Sequence, residues 1–366
     1  MNRDLILIGA SVRAAAFSAL RAGMRPWCAD LFADADLSAI CDCQRVSWET
    51  YPHAFAEVFS NSPQCPWVYT GGLENHPELI DSLSGIRPLL GNSGEKLQKV
   101  RSPEILKQVL SGHGIPFPDI LCNGQVPDHG LWLSKPFRSA GGLGIDFAKS
   151  GTPIDSPSRY VQAYLTGPAF AAIYFGKDGQ SQLLGVTRQL VGTDWLNAGP
   201  FTYCGSIGSI AVAGQIGDQC CNIGQVLTES FHLEGIFGVD CVLHNDQLFV
   251  LEVNPRYTAS VEVLELAHHA AFLNGDLPGQ ATTMLGKAIL YADRDFAFPN
   301  RGSWLPGSPD PWHIPAFADV PHPGTKIETG QPVFTYFVSG TSEEDILTQL
   351  RCKAEEFPKQ FLAGSV

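Results

Sequence analysis

The sequence predicts a two-part α/β and α+β architecture: a parallel, Rossmann-like sheet at the front and a larger strand-rich region behind it. Three observations carry this. Leu5–Gly9 is a continuous apolar run that ends in glycine and opens into Val12–Ala22, where apolar residues recur with a helical period. Further short apolar runs at Pro26–Asp30 and Trp67–Thr70 alternate with helical segments, which implies parallel pairing. Beyond residue 130 strands follow one another across glycine turns, and Gly238–Asn254 reads as a hairpin around a short His-Asn-Asp connection.

The chain has 366 residues, enough for two or three substructures, and its 44 % apolar content excludes global disorder. Lys and Arg number 24 against 37 Asp and Glu, a net charge of −13 that argues against nucleic acid or an anionic membrane as partner. No run of eighteen apolar residues is present, so no transmembrane helix is expected. The opening residues read as strand, turn and helix rather than as a signal peptide, because Gly9 and Arg13 break the apolar run. Ten scattered cysteines form no Cys-x-x-Cys and read as thiols in a reducing, cytoplasmic setting.

Taken in order, Gly9 to Ala14 with Asp30 has the outline of a dinucleotide turn, but Ser11 and Ala14 stand where the fingerprint needs glycine. Ser102 is a predicted N-cap for a helix with Pro103 at its first position, running to Leu110. Residues 131–137 are expected to form a strand, 139–148 a glycine-rich turn and the returning strand, and 160–175 a strand, a break at Gly167 and a second strand. Further strands are expected over 181–215, helices over 220–235, 261–271 and 342–356, and strands over 325–338. The Pro-rich stretch 297–323 is expected to be irregular, with Trp304 and Trp312 covering either core or a site.

The hairpin carries the chemistry. Asp240 lies on its first strand; Glu252 and Asn254 share one face of the second. Two carboxylates and an amide oxygen brought together in an apolar setting call for a cation, and an all-oxygen set suits Mg2+. Lys135, followed by Ser139, Gly141, Gly142 and Gly144, pairs a point charge with a turn that can approach phosphates closely. The strand Val161–Leu165, ending in a break, leaves backbone groups free for the edge of a purine. Ser11 and Arg13 at the carboxyl edge of the front sheet, Glu74 in the loop after Trp67–Thr70, and His268 on the helix after the hairpin are candidate substrate residues, Arg13 for a carboxylate and Glu74 for an amine.

The order lysine strand, glycine loop, hinge strand, then Asp…Glu-x-Asn resembles the ATP-grasp superfamily from about residue 5 to residue 340. The LIGASVRAAAFSALRAG start, YTGGLENHPEL and LLGN are similar to the predicted ATP-dependent carboligases related to biotin carboxylase, a subgroup that includes tyramine–glutamate ligase. The resemblance implies an ATP-grasp fold divided into a Rossmann-like domain over 1–92, a linking helix and lid over 93–166, and a C-terminal domain with the metal site over 167–366. It implies ATP with Mg2+ (or Mn2+), small carboxylate and amine substrates, and a family habit of forming homodimers. Lys135 would meet the α/β phosphates and Gly141, Gly142 and Gly144 the β/γ phosphates. Gln162 would face the adenine amino group, and Ala163 and Leu165 would offer backbone to the ring. Asp240, Glu252 and Asn254 would hold the metal, and Arg256 would stabilise an acyl phosphate. The family's second nucleotide lysine falls here on Pro103; Lys99 is the expected replacement, with Arg101 the other choice. The implied activity is amide formation through an acyl phosphate, in the context of one-carbon cofactor biosynthesis. A nucleotide sensor without catalysis and a carboxyphosphate-forming carboxylase are the alternatives.

Overall fold

A computed structural model describes residues 3–300, 304–305 and 310–362. Its front sheet is parallel, with strands in the spatial order Cys43–Arg45, Met24–Asp30, Arg3–Ile8 and Trp67–Tyr69. Leu5, Ile6, Leu7 and Ile8 are all buried, as expected where helices cover both faces of a parallel sheet. Asp30 is wholly buried and accepts backbone N–H bonds from Val12 (3.1 Å) and Ala33 (2.6 Å). Its carboxylate therefore closes the first turn and has no freedom to meet a ribose.

Behind this sheet stands an eight-stranded antiparallel sheet, in the order Gln247–Asn254, Gly235–His244, Ala169–Lys177, Gln180–Val191, Tyr203–Gly208, Met284–Tyr291, Pro332–Gly340 and Phe317–Ala318. Strand alternation gives it two cores. Ala172 and Tyr174 pack under the helix Gly214–Phe231, whereas Ala171 and Ile173 meet the helix Ala259–His268. The latter core continues into the front domain, where Ala15, Ala16 and Ala19 of helix Arg13–Arg21 let it lie close. A four-stranded antiparallel lid, in the order Ile120–Leu121, Arg159–Ala163, Trp132–Pro136 and Asp146–Phe147, has a small core of its own around Val126, Trp132 and Val161.

Several elements differ from expectation. The helix expected over 220–235 spans Gly214–Phe231. Gly214, Gly217 and Gly224 lower its local propensity, yet Gly224 is required because a Cβ there would overlap the Tyr174 ring. The helices Pro77–Ser84 and Gly94–Val100 and the strand Met284–Tyr291 add to the elements read from sequence. In that strand Gly286 and Lys287 interrupt the apolar pattern. Trp304 packs on Phe317 and Phe334 in the core, and Trp312 stacks on His269. Of the Pro-rich stretch, residues 301–303 and 306–309 lie outside the described residues.

Candidate functional site

A cleft of about 610 Å³ lies between the lid and the edge of the large sheet that carries the hairpin. The hairpin register places Asp240 opposite Glu252 and Gly238 opposite Asn254, with a bulge after Asp240. The predicted antiparallel pairing thus brings the two carboxyl groups side by side. Asp240 is clamped by two amides: Gln189 Nε2 donates to Oδ1 and Asn254 Nδ2 to Oδ2, each at 2.9 Å. Burial, then the neighbouring Glu252 charge, push the Asp240 carboxyl up to about 7. Glu252 has 48 % of its side chain open to the cleft. Burial opposes its charge, but Lys135 and Arg101 outweigh that and hold its carboxyl below the usual range.

Lys135 projects from the lid strand Trp132–Pro136, with Nζ 3.1 Å from Gln162 Oε1 and 3.7 Å from Glu252 Oε2. Burial works to lower its pKa, but Tyr160 and Glu252 outweigh that and raise it. Gln162, expected to face adenine, is buried and spends its oxygen on Lys135 and its Nε2 on the Leu251 carbonyl (3.4 Å). It buttresses the lysine instead. Ala163 donates its N–H to Asp119 O (2.8 Å), but its carbonyl and the Leu165 N–H meet no partner among the described residues. Both residues line the cleft, so an acceptor and a donor stand open on the hinge.

The glycine turn closes the opposite wall. Gly141 O accepts from Tyr203 N (3.1 Å), and Gly142, at φ 83°, lies so close to the Phe201 carbonyl that any Cβ would overlap it. Ser139, Gly141 and Gly142 line the cleft. Gly144 lies off the lining, against Pro136, where its carbonyl accepts from Arg159 Nη2 at 2.7 Å.

At the far end Arg256 Nη2 donates to Glu74 Oε1 (2.6 Å) and Asn254 Oδ1 (3.2 Å). Arg256 Nε, Glu74 Oε2 and Thr258 Oγ1 are buried without a partner among the described residues. Thr258 is the N-cap of helix Ala259–His268, and its side chain makes no capping bond. The N–H groups of Ala259 and Ser260 also lack partners among the described residues. Apart from the acceptor Glu74 Oε2, the unpartnered groups at this end, Arg256 Nε, Thr258 Oγ1 and two backbone N–H groups, can donate, which suits an anion.

Other expected residues stand elsewhere. Lys99 pairs with Glu95 at 2.7 Å on the surface and is absent from the cleft, whereas Arg101 lines it. Arg13 is 1 % exposed and spends both Nη groups on Glu262, so it has nothing left for a substrate carboxylate. Glu74 is buried against Arg256 and is closed to an incoming amine. Ser11 is exposed outside the cleft, its carbonyl accepting from Thr70 Oγ1 at 2.8 Å. His268 lies away from the cleft, bonded through Nδ1 to Gly279 O at 2.7 Å. Sequence reasoning missed Gln189, Thr258 and Ser260. Thr258 had a signal, a threonine directly before an apolar helix; a glutamine within a strand has none.

Residues 104–260 match the sequence profile of the ATP-grasp domain. Over that stretch the chain is similar to the ATP-grasp family. No curated protein matches the sequence. The fold is similar to that of L-amino acid ligase from Bacillus licheniformis, at 14 % identity and TM-score 0.67, covering 97 % of this chain and 97 % of that one. It is also similar to the biotin carboxylase domain of 2-oxoglutarate carboxylase from Hydrogenobacter thermophilus, at 11 % identity and TM-score 0.70, covering 95 % and 88 %. N5-carboxyaminoimidazole synthetase from Staphylococcus aureus, solved with ADP, has 12 % identity and TM-score 0.67, covering 97 % and 98 %. Such likenesses show the ATP-grasp fold, with its Rossmann-like front sheet and antiparallel sheets.

The donor set fits a hard cation. Asp240 and Glu252 face each other and cannot both stay charged without a proton or a cation between them. Among the described residues no three His, Cys, Asp or Glu side chains converge on one point. A cation here thus has two carboxylates at most and must complete its shell from amide, water and phosphate oxygens, which is the habit of Mg2+.

Proposed function

We propose that the protein is an ATP-dependent carboxylate–amine ligase. The observation that carries this reading is one cleft with the facing carboxyl groups of Asp240 and Glu252 at its centre, Lys135 above them, and the unsatisfied donors around Arg256 and Thr258 at its end. The open Ala163 carbonyl and Leu165 N–H match the amino group and ring nitrogen of a purine edge. Asp240 and Glu252, with Asn254 beside them, would hold Mg2+ or Mn2+, which supplies charge neutralisation for the phosphates. Lys135 adds a cation to the phosphate side of the cleft. Arg256, held by Glu74, and the start of helix Ala259–His268 receive the acid.

In the first step a carboxylate oxygen of the acid attacks the γ-phosphorus, and the bond to the β–γ bridging oxygen breaks, releasing ADP. In the second an amine nitrogen attacks the acyl carbon, the carbon–oxygen bond to phosphate breaks, and the nitrogen loses a proton. The fork of Arg256 stabilises charge on the acyl-phosphate oxygens. The lid, whose glycine turn abuts Phe201, excludes water from that intermediate.

The test is ADP release over a matrix of acids and amines with Mg2+. Glutamate with aryl amines such as tyramine comes first, because the N-terminal motifs resemble that subgroup. Release that requires both an acid and an amine supports the reading. Release with bicarbonate alone would make the protein a carboxyphosphate former, and ATP binding without release in every mixture would make it a sensor.

A further inference from the structure

We propose that Arg101 is the residue through which nucleotide phosphates fasten the lid to the front domain. The inference rests on the reading that ATP occupies the cleft. Arg101 stands at the corner between helices Gly94–Val100 and Pro103–Gly112 and lines the cleft. Its Nη1 donates to Asn75 Oδ1 (2.8 Å), in the loop after the edge strand of the front sheet. Its Nη2 donates to Ser139 O (2.9 Å), where the lid's glycine turn begins. One side chain thus touches the front domain, the lid and the cavity between them.

Its charge sets it apart. Arg256 pairs with Glu74 at 2.6 Å, Arg188 with Glu343 at 2.9 Å, and Lys135 lies 3.7 Å from Glu252. Arg101 has no carboxylate within 4.0 Å among the described residues; both its bonds go to neutral oxygens. A guanidinium carries five N–H donors, so those bonds leave donors to spare beside the cavity. A half-buried cation held only by neutral oxygens favours an anion, and the fork geometry suits phosphate. Binding of phosphate there would lock Arg101 in place, and with it the contacts to Ser139 and Asn75. An arginine is needed because an ammonium is a point charge that cannot bridge two oxygens and a phosphate in one plane.

The experiment measures binding of ATP, ADP and adenosine by calorimetry to the full chain and to Arg101→Gln and Arg101→Lys. It also follows hydrogen exchange over residues 139–147 with and without ATP. For Arg101→Gln we expect ATP and ADP affinity to fall roughly ten- to hundredfold, with adenosine unchanged. For Arg101→Lys we expect most of the affinity to remain while ATP-induced protection of the lid turn is lost. Asn75→Ala should weaken that protection without removing the phosphate preference. If wild type binds ATP and Arg101→Gln matches it in affinity and protection, the role of Arg101 is overturned alone. If wild type binds no nucleotide, the ATP reading falls and this inference falls with it.

Discussion

The seam between the front domain and the large sheet collects charged side chains, and so does the cleft beneath the lid, but the two regions treat charge in opposite ways. In the seam Arg13 places Nη1 and Nη2 on the two oxygens of Glu262, and Lys287 Nζ reaches the same carboxylate at 2.7 Å. Arg21 grips Glu265 at 2.6 Å, and Ser18 Oγ satisfies that carboxylate's other oxygen, also at 2.6 Å. All of these groups are buried, and each charged one meets an opposite charge. In the cleft two carboxyl groups face each other, one guanidinium meets only neutral oxygens, and several buried donors meet nothing. Matched and sealed charge joins two domains. Mismatched charge borders an open cleft, where a ligand of the complementary pattern can complete it.

The largest effect that would break this comparison is in the seam. Glu262→Ala leaves Arg13 and Lys287 buried without their shared carboxylate and should destabilise by about 3–5 kcal/mol in denaturant unfolding. An unchanged midpoint would show that the network does not hold the domains together. Arg13 and Lys287 overcome the burial penalty and hold the Glu262 carboxyl down to about 2, against 4.5 unperturbed. Its stabilisation is therefore complete above pH 4.5 and lost as pH falls toward 2. The stability gap between wild type and Glu262→Gln should narrow over that window.

In the cleft the effects should fall on activity and spare the fold. Glu252→Gln should lower metal-dependent ADP release about a hundredfold or more while the melting temperature stays level or rises, because facing carboxyl groups no longer repel. Full turnover in this variant would end the metal assignment. Gln189→Leu should weaken Mn2+ binding about tenfold, since it removes one of the two amides that orient Asp240. Paramagnetic titration of free Mn2+ reads this directly. The smallest effect belongs to Lys99→Ala, where an exposed surface pair is lost and the melting temperature should not move measurably.

How much could be read in advance follows the range of the interactions. The hairpin of Asp240, Glu252 and Asn254 was legible because its spacing is local and its register follows from a short connection. Lys135 and the glycine turn were legible for the same reason. The front sheet, the Ser102 cap (Oγ to Ile105 N, 3.4 Å) and the strand–break–strand at Gly167 all rest on neighbours in sequence. Arg13 and Glu74 were placed at the right edge of the sheet but given partners they do not have. Their partners, Glu262 and Arg256, lie 249 and 182 residues away. Gly214 and Gly217 hid the first turns of helix Gly214–Phe231, and Gly94 hid the start of helix Gly94–Val100, where a Cβ would overlap Pro77 O and Asp81 from elsewhere in the fold.

Sequence alone therefore determined the fold class and the carboxylate hairpin, lysine strand and glycine turn that the fold brings to one cleft. These are statements about residue type at short range, where backbone geometry converts spacing directly into proximity. Tertiary structure decided which charges are spent and which are free. It sealed Arg13 and Glu74, turned Gln162 toward Lys135, set Lys99 on the surface and Arg101 in the cleft, and left the donors at Thr258 open. A side chain's availability depends on whether a distant segment brings it a partner, and that is settled only when the domains pack.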